Sequence, residues 1–130
     1  MNESVCPCGS GLAYHTCCGR FLEQKQPPPT AEALMRSRYT AYVRGNAKYL
    51  YRTWDQKTRP TFQSLKGMPP VNWMGLEVIG TQAGGVDDAE GEVEFIARYM
   101  EQGQLRVMRE VSRFRRDKGR WVYVVENTGV

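Results

Sequence analysis

All four cysteines of this chain fall within thirteen residues near its start: Cys6, Cys8, Cys17 and Cys18. The spacing is C-x-C, eight residues, then C-C. Two close pairs joined by a short loop can bring four soft ligands onto one ion, and zinc is held stably by four thiolates in a tetrahedron. Pro7 stiffens the first pair through its fixed φ. Gly9 and Gly11 permit the left-handed backbone of a tight turn, and Ser10 can support that turn. Backbone N–H groups in such turns are expected to point at the thiolates.

The competing chemistry is a disulfide. The N-terminus, Met1-Asn2-Glu3-Ser4, lacks the basic and apolar regions of a signal peptide, and no stretch is long enough to cross a membrane. The expected location is therefore the cytoplasm, where clustered cysteines are more often metal ligands than disulfides. Bridges inside so small a cluster would also close only tiny loops. The ligand set read from the sequence is Cys6, Cys8, Cys17 and Cys18, with Zn²⁺ as the cofactor. His15, the only histidine, is the competing fourth ligand.

The stretch Cys6-Pro7-Cys8-Gly9-Ser10-Gly11 through Cys17-Cys18-Gly19 resembles the SEC-C motif, the zinc-binding element at the C-terminus of the SecA preprotein translocase ATPase. There the last ligand is usually histidine; here Cys18 stands in that position. Two further segments extend the resemblance. Ala33-Leu34-Met35-Arg36-Ser37-Arg38-Tyr39-Thr40-Ala41-Tyr42 is one. Glu110-Val111-Ser112-Arg113-Phe114, followed by Gly119-Arg120-Trp121-Val122-Tyr123, is the other. Both resemble the YchJ-like family of small bacterial proteins, in which a SEC-C motif precedes a domain similar to nuclear transport factor 2. That family often has a histidine just before the glutamate of the penultimate strand, whereas this chain has Met108-Arg109 before Glu110. The resemblance implies an α+β fold: an N-terminal SEC-C zinc knuckle, then a nuclear transport factor 2-like cone of helices packed on a curved antiparallel sheet. The expected division is residues 1–22 for the motif, 23–29 for a proline-rich linker and 30–128 for the α+β domain.

The residues read independently agree with that order. At 41% hydrophobic and 25% charged, the chain has the composition of one globular core. A knuckle of about 20 residues buries little apolar surface and is expected to depend on its metal, folding apart from the domain beyond Pro27-Pro28-Pro29. Thr30 reads as the N-cap of an amphipathic helix to Val43, stopped by Gly45. Asn46 opens a second helix, Ala47 to Trp54, and Arg59-Pro60 a short third through Leu65. After residue 70 the period changes to two. Strands are expected at Trp73 to Ile79, around Val93 to Tyr99, at Leu105 to Arg115 and at Arg120 to Val125. Gln102-Gly103 and Asp117-Lys118-Gly119 supply the turns.

Functional expectations follow in two classes. The first is a small cytoplasmic zinc-binding adaptor, since SEC-C elements of SecA-type ATPases engage a chaperone or the ribosome. Its partner would be a protein, ribosome-associated or belonging to the secretion or chaperone machinery. The second is a small-molecule-binding protein or weak enzyme using the cone's pocket. With the sole histidine in the knuckle and no phosphate loop or zinc-protease motif, histidine-based or covalent catalysis is not expected, and no catalytic residue is assigned. Met108, Glu110, Ser112 and Phe114 share one strand face, and period two does not say which face is concave. Glu110 is expected to be structural, paired with Arg36 or Arg38. The basic run Arg106, Arg109, Arg113, Arg115, Arg116, Lys118 and Arg120 reads as a solvated, salt-bridged face, a nucleic-acid footprint being the lesser reading. One divalent ion held by four thiolates adds a net −2 to the formal charge of +4, leaving about +2.

Overall fold

The computed structural model describes residues 4–126; residues 1–3 and the last expected domain residues, 127 and 128, lie outside them. A single 3-10 turn, Tyr14–Thr16, and a four-residue helix α1, Gly19–Leu22, follow the first cysteines. Then come α2 (Ala31–Arg44), α3 (Ala47–Arg52) and α4 (Phe62–Lys66). Four strands close the fold: β1 (Asn72–Ala83), β2 (Glu90–Glu101), β3 (Gln104–Asp117) and β4 (Arg120–Glu126). They form one antiparallel meander in sequence order. The α+β order expected from the change of period is what forms.

The helix boundaries have local causes. Thr30 Oγ1 accepts from Ala33 N at 3.1 Å, and Gly45, at φ 67°, returns its N–H to the end of α2. Asn46 caps α3 in the same way, accepting from Tyr49 N at 3.0 Å. The second helix ends at Arg52 rather than at Trp54, because the chain turns out of the helix at Thr53 and Trp54 bridges to Tyr123 of β4. Tyr123 N donates to Thr53 O and Asp55 N donates to Tyr123 O, each at 2.8 Å. This short parallel pairing covers the outer edge of β4. The third helix starts at Phe62, capped by Thr61, rather than at Pro60.

The sheet bends where its register slips: between Trp73 and Gly75, between Val78 and Gly80, and between Arg113 and Phe114. Its two-residue turns, Gln102-Gly103 and Lys118-Gly119, have positive φ at both positions, which matches the twist of the strands. Val93, Phe95, Ala97, Ser112 and Phe114 are buried on the concave side, which settles the face left open by the sequence. Much of the basic run is paired. Arg109 reaches Glu94 at 2.7 Å and Arg106 reaches Glu101 at 3.4 Å. Arg116 donates to the carbonyls of Val86 and Asp88 and stacks on Trp121.

Helix α2 is buried on more than one side. Ser37, Arg38 and Thr40 are buried along with Leu34, Tyr39 and Ala41, so the amphipathic reading of this helix was too polar on one face. Each buried polar group is partnered. Ser37 Oγ donates to Leu34 O at 2.8 Å and lies 2.6 Å from the Tyr49 hydroxyl. Arg38 Nη1 donates to Leu50 O at 3.0 Å and to Thr53 Oγ1 at 2.8 Å. Its guanidinium also lies 4.8 Å from the centre of Trp54 and 4.7 Å from that of Tyr123.

A second charged contact ties the segment after α3 to the sheet. Arg115 Nε donates to Asp55 Oδ2 at 2.6 Å, and the Asp55 side chain is 3% exposed. That hydrogen bond, with one from Lys57 N, holds the Asp55 carboxyl down to about 2 from its ordinary 3.8. A carboxyl depressed in the folded state stabilises the fold above its unfolded value and stops doing so as pH falls through its folded value. Asp55→Asn is therefore expected to be less stable than the parent at pH 6, with the gap closing as pH falls from about 4 to about 2. Denaturant titrations at a series of pH values measure it; a gap of constant size would show that the ionised pair is not its source.

Candidate metal centre and neighbouring cavity

The cysteine loop is built as a small closed unit. Cys6 N donates to Leu12 O at 2.8 Å and Tyr14 N to Ser4 O at 3.1 Å, so the chain on either side of the first pair is bridged. Gly9 and Gly11, at φ 83° and 84°, turn the loop. The start of α1 then presents Cys17 and Cys18. All four Sγ atoms lie within 4.8 Å of one another, and all four cysteines are buried. Cys8 Sγ and Cys17 Sγ are 3.6 Å apart. Metal–sulfur bonds of about 2.3 Å in a tetrahedron space sulfurs about 3.8 Å apart, so the donor set fits one four-coordinate soft ion. His15 sits exposed on the 3-10 turn and is not among the converging atoms.

The electrostatics suit a cation. Hydrogen bonding from Cys18, with help from Ser10, pulls the Cys8 thiol down to about 4. The opposite side of that exchange pushes Cys18 up, and burial pushes Cys17 up. Four thiolates crowded in a buried site cannot all carry charge alone; a divalent ion removes that penalty. Supporting contacts surround the sulfurs. Ser10 Oγ lies 3.2 Å from Cys17 Sγ, and Thr40 Oγ1 lies 3.8 Å from Cys6 Sγ. Arg36 Nη1 donates to Cys8 O at 2.8 Å and stands 4.0 Å from Cys8 Sγ, while its Nε holds Glu32 at 3.0 Å. A cation here offsets the net negative charge that four thiolates leave on a divalent ion.

These contacts place the cysteine loop against the domain. The knuckle is packed on the domain rather than held away from it by the proline run. Its cysteines, with Phe21 and Leu22, belong to the same buried cluster as Leu34, Ala41, Leu76 and Phe95. Gly9 is pressed against β1: a Cβ there would stand 2.6 Å from Leu76 O. The proline run is laid down as well. Pro28 is buried and Pro29 O accepts from Trp121 Nε1 at 3.1 Å. Arg52 Nη2 adds a bond to Phe21 O at 3.2 Å. A knuckle this small buries part of its surface against α2 and β1.

Across α2 from the cysteines lies a cavity of 340 Å³ between the helix and the concave sheet. From α2 it receives Met35, Arg38, Tyr39 and Tyr42; from β2 and β3, Phe95, Ala97, Met108, Glu110 and Ser112. Trp54, Trp73 and Tyr123 complete it. Tyr39 meets Trp73 edge-on at 5.7 Å, and Trp54 meets Tyr123 edge-on at 5.1 Å. A larger groove of 610 Å³ runs past Val43, Leu65, Met68 and Pro69, but acid and base do not converge there. Of the two arginines expected to pair with Glu110, Arg36 is engaged at the cysteine loop. Arg38 shares the cavity with Glu110. The sequence did not single out Asp55, Thr40 or Trp54; an arginine in the middle of an apolar helix face was the one signal available for this site.

Stripping the metal with a chelator is therefore expected to shift backbone amide signals of Leu34, Thr40 and Leu76 as well as those of the cysteine loop. Two-dimensional amide spectra before and after treatment test this. Changes confined to the first 22 or so residues would restore the picture of two independent units.

Comparison with known proteins follows this geometry. Residues 4–20 match the SEC-C motif, and residues 30–125 match the family described as YchJ, middle NTF2-like domain. A UPF0225 protein of Chromobacterium violaceum is 50% identical over 124 residues, covering 94% of this chain and 91% of that protein. A UPF0225 protein of Streptomyces coelicolor is 48% identical, covering 95% and 94%. The solution structure of a SEC-C motif containing protein from Rhodopseudomonas palustris superposes with a TM-score of 0.86 at 34% identity, covering 98% of this chain and all of that one. A SEC-C motif containing protein from Psychrobacter arcticus shares the fold, with a TM-score of 0.81 at 23% identity and 98% and 84% coverage. With both parts matched in order along nearly its whole length, the chain belongs to the YchJ-like family, whose members include the UPF0225 proteins.

Proposed function

We propose that the four cysteines hold one zinc ion with a structural role, and that the protein is a small-molecule-binding protein built around the cavity between α2 and the sheet. The observation that carries the second part is the lining of that cavity. Aromatic and thioether side chains supply most of the wall, and two charged side chains, Arg38 and Glu110, reach it from opposite elements. Its 340 Å³ lies at the lower end of the range for ligand pockets, about 300–1,000 Å³. The inward-facing, buried sulfurs favour a buttressing role for the metal over a reactive one. A cytoplasmic location fits free thiols committed to a metal.

Native protein is expected to contain about one zinc per chain by elemental analysis. Cys18→Ser should release it and His15→Ala should not. Zinc retained in Cys18→Ser but lost in His15→Ala would overturn the ligand assignment.

The adaptor reading has an observation of its own. Val5 and Leu12 are 63% and 53% exposed, and both lie on the bridged ends of the cysteine loop. An apolar pair on the outer side of a SEC-C motif suits a protein surface, and the motif's use in SecA-type ATPases directs the search to ribosomal, secretion or chaperone partners. Co-sedimentation with purified ribosomes, lost in a Val5→Ser, Leu12→Ser double variant, is the expected result under this reading. Wild-type protein left in the supernatant would remove the ribosome as partner.

A further inference from the structure

We propose that the helical arm from Arg44 to Lys66, with the groove that runs along it, docks an acidic amphipathic segment of a partner protein. Charge, the apolar groove beside it and the shape of that groove together select this occupant.

Between Arg44 and Lys66 the sequence holds six basic residues, Arg44, Lys48, Arg52, Lys57, Arg59 and Lys66, and one acidic residue, Asp55. Of the 18 basic and 14 acidic residues in the chain, that leaves twelve and thirteen elsewhere. The positive excess of the whole molecule therefore sits on this arm. Asp55 does not offset it, because its side chain is buried and bound to Arg115 of β3. Among the described residues, none of the six forms an ion pair, whereas arginines of the sheet do, as Arg98 with Glu77 and Arg109 with Glu94. Five of the six are exposed and Arg59 is half-buried. Rings hold four of them. Arg44 lies 3.8 Å from the centre of Tyr14, Arg52 4.9 Å from that of Tyr49, Arg59 3.8 Å from that of Tyr51 and Lys66 5.8 Å from that of Phe62. A ring steadies a cation without neutralising it, so less freedom is lost when an anion arrives.

Arg44 and Lys66 both line the 610 Å³ groove, and no carboxylate does. Leu50 and Leu65 are its buried residues, while Val43, Met68 and Val71 stand exposed along it. Exposed apolar surface bordered by charge marks an interaction site. Pro69 and Pro70 stiffen one wall through their fixed φ, which keeps the groove open before a partner arrives.

The pairing of cations with an apolar concavity separates this occupant from other polyanions. A nucleic-acid backbone would answer the cations and leave Val43, Met68 and Val71 in water. An anionic bilayer is flat and does not reach Leu50 and Leu65. An amphipathic helix with apolar anchors at i, i+3, i+4 and i+7 fills the groove, and acidic residues beside that stripe meet Arg44 and Lys66.

The test uses isotope-labelled, metal-loaded full-length protein. The probe is a synthetic helical peptide with leucines at i, i+3, i+4 and i+7 and glutamates on its polar face. One control carries lysine in place of glutamate; the other is a scrambled peptide of the same composition whose leucines share no face. The acidic amphipathic peptide is expected to shift the amides of Val43, Ala47, Lys66 and Val71, and to bind at least about tenfold more tightly than either control. Its affinity should fall as salt is raised. Tyr42 and Trp73 line both groove and cavity and are left unaltered. A Lys48→Glu, Lys66→Glu variant reverses two exposed charges and should weaken binding at least about tenfold at an unchanged melting temperature. Met68→Ser keeps the charge, removes an apolar contact and should weaken binding as well. Either control binding as tightly as the probe, no amide of the groove moving, or binding unchanged in both variants would overturn the proposal. Oligouridine or phosphatidylglycerol vesicles moving the same amides at lower concentration than the peptide would overturn it in favour of a nucleic acid or a membrane surface. Self-association abolished by both variants would overturn it in favour of a second copy of the chain.

Discussion

Helix α2 is the member on which everything else is hung, and its constraint is polar as much as apolar. Ser37, Arg38 and Thr40 are buried within a single turn of each other. Left unpartnered, each would cost roughly 1–3 kcal/mol, and the charged one more. Their partners fix the rest of the molecule. Thr40 meets Cys6, Ser37 meets Tyr49 of α3, and Arg38 gathers the end of α3, Trp54 and Tyr123 of β4. One turn of helix thus sets the positions of the cysteine loop, the second helix and the last strand. Among the described residues no fully buried side-chain nitrogen or oxygen lacks a hydrogen-bond partner, which is the condition for tolerating such a core.

The bulges of β1 serve the same helix from the other side. Gly75, at φ 151°, sits at the first slip of register, and Leu76 O next to it receives the close approach of Gly9. The strand is therefore bent where the cysteine loop docks. That bend also turns Trp73 inward, against Tyr39 and Tyr42. At the far end of the hairpin, the backbones of Gly84 and Gly91 pass so closely that a Cβ on Gly91 would lie 2.4 Å from Gly84 Cα. Gly84 O also accepts from Ala31 N, at the first turn of α2. Both ends of the β1–β2 hairpin are thus pinned to elements earlier in the chain, and the sheet between them curves away to leave the cavity.

What the sequence made legible, and what it did not, divides along range of interaction. The cysteine pairs, the Thr30 and Asn46 caps, the Gln102-Gly103 and Lys118-Gly119 turns and the change of period after residue 70 are local signals, and the elements they announce form. The misses depend on partners far along the chain. Trp54 looked helical because its spacing is helical, but β4, about seventy residues later, offers Thr53 and Asp55 a better set of backbone partners. Asp55 carried no local mark, since its arginine lies on β3. The docking of the knuckle was invisible for the same reason: Arg36, Thr40 and Leu76 have no sequence signature for receiving a cysteine loop. Resemblance to the YchJ-like family supplied the cone, which periodicity alone reads only as α+β.

A cone of this size carries a structural cost that the cysteine centre is well placed to offset. Leaving 340 Å³ unfilled beside α2 forfeits packing that a solid core would have had. In a chain of 130 residues there is little additional apolar surface to recruit. A four-thiolate ion supplies stabilisation that does not scale with buried area, because the free energy of ligation is released only when the site is assembled. Its placement matters as much as its strength. The cysteine loop braces the side of α2 facing away from the cavity and, through Gly9, the bend of β1 that carries Trp73. Rigidity is thereby delivered to the two elements that define the cavity wall, while the cavity itself stays open. If the four cysteines hold zinc as proposed, metal centre and cavity are two halves of one design: the first replaces the packing that the second gives up.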